Sequence, residues 1–499
     1  MPINSISVPL PNYLKSADSS FYQPYIPSSI PKPSKEEELK SDIAAILESP
    51  ELLNAHIGIS VYSISNSKSL YRYNSTKNFV PASIMKLLTT SAALITLGAD
   101  FTYQNKLYVS GDISLDGKLI GDIIILGSGD PTLSEYFHQD PTVQFDDWIQ
   151  QLRLLGINSI NGNIIADDSY FDNEPYPTGW DYKDLIHPYA AQVSALNIFD
   201  NSITISISPA DSIGGEALIE AVPNSGYVEI INNVDIVSPE KSSKISMTSL
   251  PHSNIIEVSG NIYNSKRSTT RKMQAAIDSP SHFFLDLFIK RLSEFEIEFV
   301  GQALDFEELN QEIDYSTANE IGGWVSPPLK SIIANTNKVS NNLSAETILK
   351  TIAREKSGLG SFENGIDVVQ KELSKSGLNP NNYVMVDGSG LSRNNLLSPI
   401  DVTKLLSWLI KSKYRNNFLN SLAKPGEEGT LSNRLEGTIA KNRLKAKTGS
   451  LSNVSNIAGY VETESGEKLV FCIMVNNYTV PTSVIRNIQD LMILRLCSY

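Results

Sequence analysis

The two ends of this chain carry one pattern, a helix outside and alternating strands inside, and that pattern limits the folds open to it. After a Ser-, Pro- and Tyr-rich leader over residues 1–33, SKEEELKSDIAAILES reads as a helix with a capping box between Ser34 and Glu37. HIGISVYSIS (56–65) and SLYRYNS (69–75) then alternate as strands joined by an NSK turn. Near the other end LKAKTGS, VSNIAGYVETE and SGEKLVFCIMVNN read as strands, and a helix runs from about Pro481 to Leu496. Ends of this kind combine into one antiparallel sheet flanked by helices.

What lies between falls into two textures. From about Phe101 short strands alternate with Gly-Asp punctuation, a helix is expected near 148–155, a strand at 164–166, a nearly all-strand stretch at 201–265 and a helix at 282–295. Beyond Pro327 the pattern turns helical through SIIANTNKVSNNLSAETILKTIAREK and FENGIDVVQKELSKSG. The strand-rich middle therefore reads as an insertion in an α/β (α+β) fold.

Composition removes several function classes. Acidic residues outnumber basic ones by 55 to 41, giving a formal charge of −14, which disfavours nucleic acid as a partner. Two cysteines, Cys472 and Cys497, are too few for a disulfide framework or a cysteine zinc site. The apolar run around Cys472 suits a buried, inert thiol. The five histidines are scattered without metal-ligand spacing, so neither a metal, a cofactor nor a histidine triad is expected. No 18-residue apolar segment is present to span a membrane, and the first residues lack the charged start and apolar core of a secretory signal.

The chemistry is carried by three short motifs. In FVPASIMKLLTTSAALITLG (79–98), Ile84, Leu87, Leu88, Ala92 and Ile95 recur at helical spacing, and Gly98 is the expected stop. Ser83 and Lys86, three apart, meet on one face. A lysine beside a core stripe loses its charge on burial, so its amine can take the serine proton and make Ser83 a nucleophile. Ser-X-X-Lys recurs at 29–32, 65–68, 238–241 and 421–424, but without a long apolar helix behind it. Ser340 and Asn342, with Asn341 between, lie at or before a helix start, where a plain capping role would also suit the serine. Lys447, Thr448 and Gly449 open a strand. There a glycine permits close approach of backbone or ligand, and a cation with a hydroxyl suits a substrate carboxylate. An edge-strand lysine beside a bulge glycine is the plain alternative.

Ser-X-X-Lys, Ser-X-Asn and Lys-Thr-Gly in that order form the set shared by penicillin-binding proteins and class A β-lactamases. With VDGSGLSRNNLLSP (386–399), NKVSNNLSAE and GSGDPTL (127–133), the chain from about residue 40 onward resembles the S13 peptidases, the penicillin-binding protein 4 type of D-alanyl-D-alanine carboxypeptidase/endopeptidase. The resemblance implies a transpeptidase/β-lactamase-like domain formed by 34–102 and 315–499. Two nested, strand-rich domains would occupy 103–314, the inner one at about 180–272. It also implies a serine-type carboxypeptidase acting on peptidoglycan stem peptides, with β-lactams as covalent inhibitors. Ser83 would be nucleophile, Lys86 base, Ser340 the proton relay to the leaving amine and Asn342 the partner of a substrate amide. Lys447 and Thr448 would hold the terminal carboxylate, and backbone N–H groups of Ser83 and Ser450 would form the oxyanion hole. Asp167, with Asp168 as neighbouring candidate, would meet the amino end of the stem-peptide side chain, Arg393 an extra carboxylate, and Ser452 the pocket wall. The implied location is the periplasm or cell envelope, despite the missing signal. A serine β-lactamase and a non-catalytic wall-binding protein are the alternatives.

Overall fold

The structure is a computed structural model that describes residues 33–499 apart from 211, 239–241, 251, 265–269 and 311; the leader, except Pro33, lies outside the described residues. The expected capping box is present. Ser34 Oγ accepts the Glu37 N–H at 3.3 Å and Glu37 Oε2 accepts the Ser34 N–H at 2.8 Å, which opens the helix Lys35–Leu47. Its apolar side chains Leu39 and Ile43 join Ile485, Met492 and Leu496 of the closing helix Thr482–Ser498 in one core.

Under these two helices lies a five-stranded antiparallel sheet in the order Leu444–Leu451, Val454–Glu462, Lys468–Asn476, His56–Ser63, Lys68–Tyr73. The two chain ends meet inside it, His56 opposite Asn476 and Ser63 opposite Leu469. Successive strand side chains face opposite ways, and the run LVFCIMV is apolar at every position because both faces are covered. Leu469, Phe471, Ile473 and Val475 enter the core of the terminal helices; Val470, Cys472 and Met474 enter the opposite layer. Burial raises the Cys472 thiol well above its ordinary range, in keeping with an inert core residue.

That opposite layer is helical: Lys86–Thr96, Leu329–Lys338, Asn342–Ser357, Phe362–Ser374 and Pro399–Leu409. Two details differ from expectation around Ser83. The first turn is a 3-10 turn, Ala82–Met85, that runs into the α-helix Lys86–Thr96. The helix is also buried on almost every side, not along one stripe. Its polar face is tolerated because Thr90 and Ser91 donate to the Lys86 and Leu87 carbonyls at 2.7 and 2.5 Å, and Thr89 donates to Gly388 O at 2.7 Å.

The middle of the chain builds a seven-stranded mixed sheet and two three-stranded sheets. Helices Val143–Leu154 and Pro280–Glu294 lie in the same apolar cluster as all three, with Ile123, Ile205, Val258 and Phe284 among its members. Gln104–Ile113 pairs antiparallel with Ala318–Val325, so the chain enters and leaves the mixed sheet on adjacent strands. The return expected at about residue 315 thus precedes a strand that still belongs to this sheet, and the helical layer resumes at Leu329.

Phe471 is fully buried in the central strand. Phe471→Ala is expected to lower the unfolding free energy by about 3–5 kcal/mol, measured by urea titration.

Candidate active site

The turn that carries Ser83 is pressed between two glycine segments. A Cβ on Gly449 would stand 2.8 Å from Pro81 O and 3.0 Å from the Ser83 and Ile84 nitrogens; one on Gly390 would stand 1.9 Å from Ala82 O. Only glycine lets both chains come this close. Ala82 holds φ +47°, a left-handed conformation that is costly for alanine. The turn is held from the sheet side as well. Asn456 Nδ2 donates to Val80 O and Pro81 O at 2.9 and 2.8 Å, and Val80 N donates to Asn476 Oδ1 at 2.8 Å.

Lys86 is fully buried. Its Nζ lies 2.9 Å from Ser83 Oγ, 2.5 Å from Asn342 Oδ1 and 2.8 Å from Ser389 O. Two of these three neighbours can only accept. In the neutral amine both N–H bonds go to Asn342 Oδ1 and Ser389 O, and the lone pair is left facing the Ser83 hydroxyl proton. Burial pulls the Lys86 pKa down to about 7, against an opposite pull from Glu346 and Asp387.

The second motif sits at a break between helices. Asn341, not Ser340, caps Asn342–Ser357, its Oδ1 accepting the Ser344 N–H at 2.8 Å, while Nδ2 donates to Asp200 Oδ1 at 3.0 Å. Ser340, at φ +69°, is therefore spared the capping role and accepts from Lys447 Nζ at 2.9 Å. Lys447 is fully buried and also donates to Thr448 O at 2.7 Å. Burial and the nearby Lys86 hold its pKa well below the usual lysine value. Its strand is at the sheet edge, yet the lysine points into the protein. Asn342 donates to Tyr189 O at 2.6 Å, so its amide oxygen serves Lys86 and one N–H serves the wall of the cleft.

Ser83, Ser340, Asn342, Ser450, Ser452 and Arg393 line one cleft of about 880 Å³, and Arg393 Nη2 donates to Ser452 O at 2.5 Å. Gly449 approaches the Ser83 turn from beneath, with Lys447 behind Ser340. Asp167 is not brought here. It is buried at the end of Ile164–Asp167, where it accepts from Tyr315 OH at 2.5 Å and Ser169 N at 3.0 Å. Asp168 lies with Ser281, which donates to it at 2.5 Å, in a different pocket. The acidic groups on the cleft are Asp181 and Asp184, beside Lys183 and Tyr189. Nothing in the spacing of TGWDYKDLIHPY marked them.

Two buried carboxylates also escaped the sequence. Asp387 accepts from Gly390 N, Ser392 N, Asn395 Nδ2 and Trp180 Nε1 at 2.7, 2.6, 2.8 and 3.0 Å, fixing the turn whose Ser389 O meets Lys86. Glu346, one helical turn after Asn342, accepts from Gly388 N and Ser389 N at 2.8 and 2.7 Å. Its spacing from Asn342 was the available signal.

Comparison with known proteins places these motifs in a wider setting. Residues 39–498 match the family described as Peptidase_S13: D-Ala-D-Ala carboxypeptidase 3 (S13) family. The chain is 31% identical over 473 residues to the D-alanyl-D-alanine carboxypeptidase of Actinomadura sp. (strain R39), covering 93% of this chain and 85% of the relative. It is 26% identical over 434 residues to the D-alanyl-D-alanine carboxypeptidase DacB of Haemophilus influenzae, covering 85% and 86%. The fold is similar to the crystal structure of penicillin binding protein 4 (dacB) from Haemophilus influenzae, with a TM-score of 0.80 at 24% identity over 92% of this chain and 99% of that one.

Gly449→Ala must move the Ser83 turn or the strand, since the contacts it makes are to backbone. Covalent labelling by a fluorescent penicillin is expected to slow on the order of tenfold or more, while circular dichroism stays native.

Proposed function

The chain belongs to the S13 family of D-Ala-D-Ala carboxypeptidases, and we propose that it removes the terminal D-alanine of peptidoglycan stem peptides through an acyl-enzyme on Ser83. The observation that carries this is the Lys86 amine, buried, bonded to two acceptors and 2.9 Å from Ser83 Oγ. As Ser83 Oγ attacks the carbonyl of the penultimate D-alanine, its proton passes to Lys86 Nζ. Negative charge on the carbonyl oxygen is met by the backbone N–H groups of Ser83 and Ser450. Ser340, bonded to Lys447, relays the proton that Lys86 took up to the departing amine, which restores the neutral lysine and the serine hydroxyl, and water then cleaves the ester to regenerate Ser83. Lys447 and Thr448 hold the terminal carboxylate, or the carboxylate of a β-lactam.

Recognition of the rest of the stem peptide falls to the outer cleft. Arg393 and Ser452 offer a cation and a hydroxyl, and Asp181 and Asp184 take the cationic end of a diamino acid in place of Asp167. A β-lactam enters as a substrate whose leaving group stays attached, so the adduct lingers on Ser83. Both named relatives are carboxypeptidases, which supports hydrolysis of D-alanyl peptides and not a β-lactamase. No helix of the described residues is long and apolar enough to cross a membrane; the substrate puts the protein in the periplasm or envelope.

Mass spectrometry of penicillin-treated protein is expected to show one adduct on the peptide containing Ser83, and none on Ser83→Ala. An adduct surviving that change would refute the assignment. Lys86 gives up its base role when it gains a proton, so the acylation rate is expected to fall as pH drops below about 7, read from penicillin labelling rates across the pH range.

A further inference from the structure

Glu346 is fully buried under the nucleophile, and the reaction steps above do not use it. Each of its carboxylate oxygens accepts one backbone N–H, from Gly388 at 2.8 Å and from Ser389 at 2.7 Å. Ser389 is held on both sides: its N–H donates to Glu346, its carbonyl oxygen, which belongs to the next peptide unit, accepts from Lys86 Nζ at 2.8 Å, and the N–H of that unit, Gly390 N, donates to Asp387 Oδ1 at 2.7 Å. A carboxylate that accepts two adjacent amides fixes the orientation of the peptides they belong to. By holding the backbone up to Ser389, Glu346 acts with Asp387 to set where one of the two Lys86 N–H bonds goes, and so where the amine lone pair points.

We propose that Glu346 is a positioning residue for the Lys86 base, holding the Gly388–Ser389 backbone so that Ser389 O orients the amine toward Ser83 and supplying counter-charge beneath it. This rests on the reading of Ser83 and Lys86 as nucleophile and base. Burial disfavours the Glu346 anion, but its described partners all donate, and an ionised carboxylate is the form that meets only donors. The charges facing this pair come from several elements. Asp387 lies in the same turn as Ser389, Lys447 comes from the sheet edge, and Lys350 follows one turn along the Glu346 helix. Lys350 is engaged elsewhere, 2.7 Å from Asp172 Oδ1, and Asp387 is saturated by its four donors. Asp387 holds the peptide that carries Ser389 O through Gly390 N, and Glu346 holds the two peptides before it.

Glu346→Gln keeps the size, removes the charge and turns an N–H donor toward an amide that also donates. The test is the rate of fluorescent penicillin labelling against pH for wild type and variant, with circular dichroism to confirm the fold. Glu346 favours the protonated lysine, so its loss moves the acid limb toward lower pH by about one unit, and the plateau rate falls about tenfold or more. A purely structural role would lower thermal stability and leave the limb in place; an unmoved limb in the folded variant overturns the proposal. Should the glutamine chain fail to fold, Glu346→Asp keeps the charge and shortens the reach. Its plateau is then expected to fall with the limb unmoved, and an unchanged plateau overturns the proposal. Wild-type protein that takes up no penicillin refutes the Ser83 assignment and this inference together, whereas labelled wild type with an unmoved Gln limb refutes this inference alone.

Discussion

A single buried amine governs the design of this protein. An ammonium group sealed away from water is costly, and the cost can be relieved by shedding a proton. Lys86 is sealed by its own helix, by Asn342 and by the Gly388–Ser389 turn, with Glu346 and Asp387 near enough to oppose the loss of charge. The outcome is a lysine amine whose pKa is drawn down to about 7. Each of the three elements around it comes from a different part of the chain, so this environment of Lys86 exists only in the folded state.

Close backbone approach is the second requirement. The edge strand must lie against the Ser83 turn, and the 387–390 turn must lie against Ala82; glycine at 449 and 390 permits both. Pressing three backbone segments together leaves carbonyl and amide groups to be satisfied, and buried side-chain amides do this from the sheet. Asn456 and Asn476 cap the carbonyl and amide of Val80 and the carbonyl of Pro81. The left-handed Ala82 and Ser340 are the local strain that this packing sustains.

The local features of the sequence were legible because they depend on neighbours in the chain. The Ser34–Glu37 box, the first hairpin, the buried Cys472 and the elements that carry the three motifs all appear where their spacing puts them. Pattern failed where distant segments decide the outcome. The Ser83 helix looks one-sided in sequence but is wrapped on nearly every face, because the helices from the distal half close over it. A plain capping role was also open to Ser340 by pattern, and Asn341 takes that place. Asp167 carries the right chemistry, yet Tyr315 claims it from across the inserted sheet; Asp181 and Asp184 reach the cleft on a loop with no distinguishing pattern.

The sequence by itself determined the motif set, the serine–lysine pair and the meeting of the two chain ends, since each follows from short-range spacing or from side-chain period. Only the tertiary structure decided which carboxylates line the cleft and which lie near the Lys86 amine, where Lys447 points, and how Lys86 disposes of its hydrogens. Those outcomes depend on contacts between residues hundreds of positions apart, such as Lys86 with Ser389, and no local pattern encodes the burial that gives them their chemistry.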